Sequence, residues 1–468
     1  MTETKVPSSP RRRAFFIGAL VLVVVALVAT LAATWWIPAY RVSAARAAWQ
    51  PPPDAVLSAS MRERPVPGWR ADPADSGLPR APGSRFAVSD VPFGPRPFVG
   101  SIGSDAYFLA LSGSDGEPQW WLIGVDVRSG QKLFDAVSLD SSASPPKCFL
   151  NGPNDVLCLS DDAPAASAWI IDRHSGMTRY QGPTDLRLGY GTLVVEQVGI
   201  YAVAHTQDVG AFGIGPEAET TWFVPGNGRL AIESSTPQRS RSQTLTAQLE
   251  ADPRTYVSTV FSVADGSVIE PEIDDGYTLG GTAFYTGGFA AEVDDPEGRS
   301  VEIAFFDEAG RRVGGHAESG VLSDGDVDLP VVSSEPDDEK IVFSANGDKL
   351  FETRYGALAL VDTTLMVNMT DSQSFPEWQQ YNMRDGTAGP VCDFPMDDYL
   401  GHHESTLVFQ FSQVSGDVFM VARDLNSCER LWSIPKEAKS LERVWLIDGT
   451  LVQLKDRGAE LISLVAPT

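Results

Sequence analysis

From about residue 85 to its end, the chain consists of short apolar runs separated by turn-forming residues. The runs at 106–111, 121–127, 256–263 and 406–411 are rich in Val, Ile, Phe, Tyr and Trp, and Gly, Asn, Asp or Pro bounds them. β-Branched and aromatic residues favour strands, and the flanking turn residues keep each strand short. The best helical pattern in this region, at 437–443, covers one or two turns. We therefore predict an all-β body of many short antiparallel strands.

A turn motif recurs between these strands. Its clearest copies are GVDVRSGQKLF at 124–134, IIDRHSGMTRY at 170–180 and ARDLNSCERLW at 422–432. The Asp carboxylate can accept hydrogen bonds from the amides that follow it, and Gly adopts a positive φ without a Cβ penalty. We expect the aromatic residue that ends each copy (Phe134, Tyr180 and Trp432) to pack on a neighbouring unit.

The spacing of the motif indicates how many units there are. The first and last clear copies begin 298 residues apart. Seven intervals of about 42 residues fit that span, and about 40–45 residues form one four-stranded propeller blade. We expect a single β-propeller over residues 85–468, with eight blades favoured and seven as the alternative. A strand at 85–91 would complete the last sheet, which residues 443–465 begin, and so close the ring.

These units resemble the docking motif of the PQQ-like (quinoprotein-like) β-propellers, in a membrane-anchored bacterial form. The docking aromatic residue varies here, and Cys428 replaces the turn glycine of the last copy. The adjacent cysteine pair of the quinoprotein dehydrogenases is absent, and no quinone-clamping Trp or Ca²⁺-ligand pattern of that family is identifiable. The resemblance therefore implies the fold, and PQQ is not expected as a cofactor.

An uncharged run of 23 residues occupies positions 14–36. A helix of this length spans the hydrocarbon core of about 30 Å. Arg11, Arg12 and Arg13 precede the run, which by the positive-inside rule places the N-terminus in the cytoplasm. We predict a cytoplasmic tail at 1–13, a single transmembrane helix at 14–38 embedded in the cell membrane, and an extracytoplasmic body. A cleaved signal peptide is the alternative, although its apolar core is normally about 7–15 residues.

Eight prolines lie between residues 51 and 83. A Pro-rich segment favours extended polyproline II structure. We expect residues 39–84 to be a linker, either a stalk that holds the body away from the bilayer or an irregular connection.

The four cysteines lie in two pairs of related positions. Cys148 and Cys158 flank a predicted hairpin, whereas Cys392 and Cys428 follow turns in adjacent units. An even number of cysteines outside the cytoplasm indicates disulfides. Of the three pairings, we favour 148–158 with 392–428; four buried thiols are the alternative.

Asp324, Asp326, Asp328 and Glu335 have the 1-3-5-12 spacing of oxygen ligands in a Ca²⁺ loop. Leu329 occupies the sixth position, where such a loop needs glycine, so a solvated acidic loop is the favoured alternative. Adjacent residues of a strand point to opposite faces, so His402 and His403 are expected to have structural roles. The sequence contains no G-x-S-x-G, H-E-x-x-H or P-loop motif, and we assign no catalytic residue.

The charge limits the choice of partner. The chain has 62 acidic and 36 basic residues, a formal net charge of −26, which argues against nucleic acid as a ligand. Acidic runs at 294–297, 335–339 and 397–398 predict either a surface for a cationic partner or a solubilising role. The favoured function is a non-catalytic extracytoplasmic scaffold that binds a protein or a cell-envelope ligand. The alternatives are a divergent quinoprotein-type or hydrolytic enzyme, and a ligand sensor.

Overall fold

The computed structural model describes most of the chain beyond residue 36. The described ranges are 37–52, 55–81, 83–88, 97–113, 118–140, 145–161, 166–189, 191–232, 243–250, 256–317, 320–323, 327–334, 339–354, 356–370, 376–411, 417–436 and 442–467. Within them the chain forms one α-helix, α1 (Ile37–Ala48), a 3₁₀ turn at Met396–Asp398, and 36 short strands.

The strands of the described ranges form nine antiparallel sheets, which we number as blades along the chain. Blade 1 contains β2 (Arg85–Phe86), β3 (Phe98–Ile102), β4 (Asp105–Ser112), β5 (Gln119–Asp126), β6 (Gln131–Lys132) and β7 (Val137–Ser138). Blade 2 contains β8 (Lys147–Asn151), β9 (Asp155–Ser160), β10 (Ser167–Asp172) and β11 (Thr178–Pro183). Blade 3 contains β12 (Val194–Val198), β13 (Tyr201–Thr206), β14 (Gly210–Ile214) and β15 (Thr220–Pro225). Blade 4 contains β16 (Leu245–Leu249) and β17 (Ser258–Ser262).

The remaining blades continue the pattern. Blade 5 contains β18 (Thr278–Tyr285), β19 (Gly288–Asp294), β20 (Ser300–Asp307) and β21 (Arg312–Ala317). Blade 6 contains β22 (Val321–Ser323), β23 (Val331–Ser334), β24 (Glu339–Phe343) and β25 (Lys349–Thr353). Blade 7 contains β26 (Leu358–Val361), β27 (Thr364–Asn368), β28 (Trp378–Asn382) and β29 (Ala388–Cys392). Blade 8 contains β30 (Tyr399–His403), β31 (Thr406–Gln410), β32 (Val418–Asp424) and β33 (Arg430–Pro435). Blade 9 contains β34 (Arg443–Ile447), β35 (Thr450–Lys455), β36 (Glu460–Val465) and, from the other end of the chain, β1 (Val66–Ala71).

Nine clusters of buried apolar side chains hold the sheets together, one between each pair of neighbouring blades. The cluster that closes the circle joins blade 9 to blade 1, where the ring of Trp445 lies 5.6 Å from Phe98 and 5.7 Å from Phe108. Early strands of neighbouring blades also contact each other, as β3 does with β8 and β18 with β22. The predicted all-β body is therefore a single closed β-propeller.

The number of blades can be compared with the expectation from sequence. Eight sheets have four or more strands, which is the number that the sequence favoured. The sheet at 245–262 is a ninth, two-stranded one among the described residues, and neither predicted count included it. This ninth sheet separates two apolar clusters, since Phe261 packs on blade 3 and Val260 packs on blade 5. It therefore occupies a full place in the ring.

The ring is closed by a different N-terminal segment from the one predicted. Residues 66–71 pair with β36, from Val66 opposite Val465 to Ala71 opposite Leu461. The strand at 85–86 pairs instead with Leu111 and Ala110 of blade 1, although the Phe86 amide donates to the Gly458 carbonyl of blade 9. The sequence-based closure at 85–91 was wrong, because the Pro-rich segment before it contains the strand that completes the sheet.

The last strand of a blade docks on a tight turn of the next blade, as the repeat predicted. Phe134 packs against Gly176, and Trp69 packs against Gly130 while its Nε1 donates to the Val127 carbonyl at 2.7 Å. Both glycines have positive φ, and a Cβ on either would lie 2.6 Å from the docking ring. Tyr180 and Trp432 lie in or against the clusters that join their blades to the next. The expectation that all three motif aromatics pack on a neighbour is confirmed.

At two blade junctions another group replaces this docking contact. Between blades 7 and 8, Cys392 of β29 forms a disulfide with Cys428, which stands at the turn position with φ 61°. Between blades 6 and 7, the Arg46 guanidinium from α1 occupies the space over Gly386. Its Nε donates to the Leu350 carbonyl at 2.6 Å.

The second predicted disulfide, Cys148–Cys158, is also present and joins directly opposite residues of β8 and β9. The described residues contain no free cysteine. Both disulfide predictions are therefore confirmed.

The segment predicted as a linker packs on the ring. We call residues 45–65 the N-terminal strap, of which 45–52 and 55–65 are described. Trp49 is buried between blades 6 and 7, and Leu57 and Met61 are buried between blades 8 and 9. From Trp49 on, the described part of the strap has no regular secondary structure beyond an isolated bridge at Val56, as the irregular alternative expected. It is not a stalk free of the ring, because its apolar side chains complete cores between the blades.

The predicted transmembrane segment at 14–38 falls almost entirely on residues 1–36, which lie outside the described part, as does the predicted tail at 1–13. Among the described residues, no helix has the length and apolar character needed to cross a bilayer.

We expect Trp69→Ala to lower the free energy of unfolding by about 2–3 kcal/mol, because the half-buried indole packs on blade 1 and makes the hydrogen bond to Val127. Val66→Ala, at an exposed position of the same strand, is the matched control and should cost about 0.5 kcal/mol or less. Urea unfolding followed by tryptophan fluorescence measures both. Equal losses would contradict the docking role of Trp69.

The two disulfides should contribute unequally to stability. Cys392→Ser with Cys428→Ser opens a loop of 36 residues and should cost about 4 kcal/mol, whereas Cys148→Ser with Cys158→Ser opens one of 10 residues and should cost about 3 kcal/mol. Denaturant unfolding of the two double variants tests this order. A larger loss for the 148–158 pair would show that loop length does not govern their contributions.

Candidate functional site

The predicted Ca²⁺ ligands are only partly described. Asp324, Asp326 and Glu335 lie outside the described residues. Asp328 is buried, its Oδ1 accepts from the Thr286 amide at 2.8 Å, and its Oδ2 accepts from Thr286 Oγ1 at 2.5 Å. This carboxylate therefore ties blade 6 to the turn between β18 and β19. In the described part of the chain no three His, Cys, Asp or Glu side chains are grouped so as to hold a metal. The Ca²⁺ site stays a prediction.

His402 and His403 are separated by the strand geometry. His402 is buried, and its Nδ1 lies 2.7 Å from the Tyr399 hydroxyl. Its backbone amide donates to the Ala55 carbonyl at 2.8 Å, and its carbonyl accepts from the Leu57 amide at 2.7 Å. His403 is half-buried. In this arrangement His402 holds the strap on blade 8.

A buried arginine, Arg173, links blades 1 and 2 and, like His402, has a structural role. Arg173 donates to Asp105 Oδ2 at 2.8 Å, to the Tyr107 hydroxyl at 3.2 Å and to the Pro153 carbonyl at 2.5 Å. Burial raises the pKa of Tyr107, which keeps the phenol neutral as a donor to the Arg173 carbonyl. These groups hydrogen-bond to one another, so the cluster stabilises the contact between blades 1 and 2.

A stretch of sequence rich in acidic residues runs through blades 4 and 5. Between Arg254 and Arg299 the sequence has no Lys or Arg. We call the acidic side chains of this stretch the acidic surface; they are Asp265, Glu270, Glu272, Asp274, Asp275, Glu292, Asp294, Asp295 and Glu297. Six of them are exposed, the exceptions being residues 292, 294 and 295.

The single arginine at the end of this stretch neutralises only part of the acidic surface. Arg299 donates to Asp295 Oδ2 at 2.8 and 2.5 Å and to Glu297 at 3.2 Å. The Arg299 hydrogen bonds hold the pKa of Asp295 below its usual value. Among the described residues, Glu270, Asp274 and Asp275 form no ion pair, so their charge is available to a cationic partner.

Asp294 is a half-buried carboxyl among other acidic side chains of the acidic surface. Burial raises the pKa of this carboxyl, and the negative charges of Glu292 and Asp295 raise it further. A cation that approached would relieve this repulsion. The chemistry that the surface supports is therefore electrostatic attraction of a positively charged group.

Sequence reasoning noted the run at 294–297 but missed the acidic surface as a whole. The signal was present in the sequence as 44 consecutive positions, 255–298, without a basic residue. It also missed Arg46, whose role depends on a packing site 340 positions further along the chain, at Gly386.

The fold defines this protein as a nine-bladed β-propeller, and comparison with known proteins identifies its family. Residues 41–467 match the family of the conjugation-associated 9-bladed beta-propeller domain, so the chain belongs to that family. An uncharacterised protein of Mycolicibacterium smegmatis (strain MKD8) is 38% identical over 437 residues, covering 90% of this chain and 89% of the relative. The match begins at residue 41, so the family domain includes the strap.

Two solved structures resemble this chain at low sequence identity. BamB from Moraxella catarrhalis is 11% identical with a TM-score of 0.30, covering 86% of this chain and 98% of that one. Apo AztD from Citrobacter koseri is 12% identical with a TM-score of 0.33, and the match covers 72% of this chain and 96% of AztD. Beyond the level of a β-propeller, the PQQ-like assignment stays a prediction.

We expect Asp294→Asn to stabilise the folded protein at pH 7 by about 0.5 kcal/mol or less. The pKa of Asp294 is higher in the folded protein than in the unfolded chain, where it is 3.8, so ionising this carboxyl opposes folding. The wild type is therefore fully stable below pH 3.8 and becomes less stable as pH rises through the pKa of the folded state. The difference between variant and wild type should vanish below pH 3.8. Thermal unfolding at several pH values measures it, with Asp208→Asn on blade 3 as control. A destabilising effect at pH 7 would contradict the raised pKa of Asp294.

Proposed function

We propose that this protein is a non-catalytic extracytoplasmic scaffold, held in the cell membrane by residues 14–38, whose propeller binds a protein that takes part in conjugation. The carrying observation is the acidic surface, a large exposed charge on a closed ring. Nine apolar clusters and two disulfides stabilise that ring, which suits it to hold a partner without changing shape. The family description supplies the link to conjugation.

Two features support an extracytoplasmic location. Disulfides form and persist in oxidising compartments, which supports a body outside the cytoplasm. By the positive-inside rule, Arg11, Arg12 and Arg13 favour a cytoplasmic N-terminus and a body on the other side of the membrane. The described part of α1 covers Ile37–Ala48, and within it Arg46 is bound to blade 6. Ten helical residues span about 15 Å, so the strap would hold the ring close to the bilayer.

Deleting the gene from a donor strain should lower the frequency of conjugative transfer at least tenfold, because the partner loses its scaffold. Wild-type complementation should restore transfer. A gene carrying Glu270→Lys, Asp274→Lys and Asp275→Lys together should fail to restore transfer. A gene carrying Glu377→Lys with Glu429→Lys, which change exposed acids on blades 7 and 8, should restore it.

Mating assays measure these frequencies, and immunoblots must show equal protein levels. Transfer that is unchanged by the deletion would exclude the conjugation role. Protease added to intact spheroplasts should digest a C-terminal tag; a protected tag would exclude the proposed topology.

A further inference from the structure

The disulfide between Cys392 and Cys428 differs in its surroundings from the one between Cys148 and Cys158. Cys428 is half-buried in a turn of blade 8, and its partner lies at the end of β29 in the neighbouring blade. Cys148 and Cys158 lie opposite each other inside one sheet, where they are 8% and 0% exposed. A thiol in solution therefore reaches the sulfur of Cys428 more easily than the disulfide of blade 2.

The blade 7 side of this bond is held weakly. Residues 388–391 of β29 are exposed, and Cys392 is buried. Pro390 has no amide hydrogen to donate to a ladder, and the pairing of β29 with β28 contains a register shift. After the strand, Asp393 forms an ion pair with Arg423 of blade 8, but this carboxylate is 66% exposed, and exposed pairs contribute little to stability. The disulfide is therefore the main attachment of β29 to blade 8.

The turn of blade 8 that carries Cys428 is held firmly by other bonds. The Asp424 carboxylate accepts from the Asn426 amide at 3.0 Å and from Ser405 Oγ at 2.9 Å. It also accepts from Arg62 of the strap at 3.2 Å. Because these bonds do not involve sulfur, we expect the turn to keep its place when the disulfide opens.

The rest of the junction between blades 7 and 8 is also independent of the disulfide. Gln380 Nε2 of β28 donates to the Leu425 carbonyl at 2.7 Å in a buried contact. Apolar residues of both blades, among them Val361, Phe409 and Val421, form the cluster between them. Loss of the disulfide should therefore leave the ring closed and loosen one outer strand.

We propose that the Cys392–Cys428 disulfide is a redox-sensitive latch, which a dithiol reductant opens to release β29 from blade 8. Release of β29 uncovers the outer edge of β28, with which it pairs. The oxidised protein covers this edge and the reduced protein presents it. Local opening of a weakly held outer strand is the kind of two-state element that a redox change can bias. The inference concerns the conformation of blade 7 and goes beyond the proposed scaffold function.

The reaction moves two electrons from the dithiol to the disulfide. One thiolate of the reductant attacks Sγ of Cys428, which forms a mixed disulfide and breaks the bond to Cys392, released as a thiolate. The second thiolate of the reductant then attacks its partner sulfur in the mixed disulfide, which releases Cys428 as a thiolate and leaves the reductant as a disulfide. The two cysteine thiolates take up the two protons that the dithiol gave to water.

Dithiothreitol serves as the dithiol in a test on the full-length protein in detergent. Samples taken over time are blocked with N-ethylmaleimide, and mass spectrometry of the peptides measures the reduced fraction at each cysteine. We expect the 392–428 bond to be reduced at least about tenfold faster than the 148–158 bond, because Cys428 is the more accessible. Hydrogen exchange at residues 388–392 should then become at least about tenfold faster, whereas exchange in β35 should not change.

Two double variants connect the strand release to this bond. Cys392→Ser with Cys428→Ser should show the fast exchange at residues 388–392 without dithiothreitol and no further change with it. The matched variant Cys148→Ser with Cys158→Ser keeps the latch, and its exchange at residues 388–392 should respond to dithiothreitol as the wild type does.

Equal or slower reduction of the 392–428 bond, or unchanged exchange at residues 388–392 once it is reduced, would overturn the inference. Faster exchange in β35 on reduction of this bond would also overturn it, because the ring as a whole would then respond rather than one strand. If either double variant fails to fold, the time course of the wild type still decides.

Discussion

Apolar contact between the faces of neighbouring sheets is the interaction on which this structure depends. Each blade is a small twisted sheet that buries little by itself, and its stability comes from the two neighbours between which it is packed. The nine clusters close into a circle, with Trp445 on Phe98 and Phe108 at the final junction. Because every blade needs both neighbours, the weak blade 4 is retained through Phe261 and Val260, which belong to different junctions.

Different side chains hold neighbouring blades together at different junctions. Trp69 and Phe134 place an aromatic ring on a glycine turn, Arg46 places a guanidinium on one, and Cys392 forms a covalent bond to Cys428. The strap supplies Arg46, and it also adds buried side chains to two clusters. Where the outer strands of the blades lack a suitable docking residue, the N-terminal segment or a disulfide replaces it. With the junctions satisfied in this way, the exposed carboxylates of the acidic surface remain available for recognition.

The sequence predicted the features that depend on local chemistry. The all-β fold class followed from short runs of β-branched and aromatic residues separated by turn-forming residues. The turn motif identified Phe134, Tyr180 and Trp432 as docking residues. Both cysteine pairs followed from equivalent positions in hairpins and turns. Features that depend on distant packing could not be read in this way. The strap looked like a linker because its prolines are local, whereas the burial of Trp49 depends on blades 6 and 7.

The last blade is assembled from both ends of the polypeptide, since β1 pairs with β36 across 394 positions of sequence. A chain still emerging from the ribosome or the translocation pore can stack its internal blades in order, but the ring stays open until residue 465 arrives. Contacts between such distant segments form slowly, because the long intervening chain must lose the entropy of loop closure before the contacts can stabilise it. During that interval the residues at 66–71 and the faces of blades 1 and 8 are exposed to aggregation. Synthesis of this protein therefore has a vulnerable final step, and a truncated product would retain an unfinished circle that quality-control proteases can recognise.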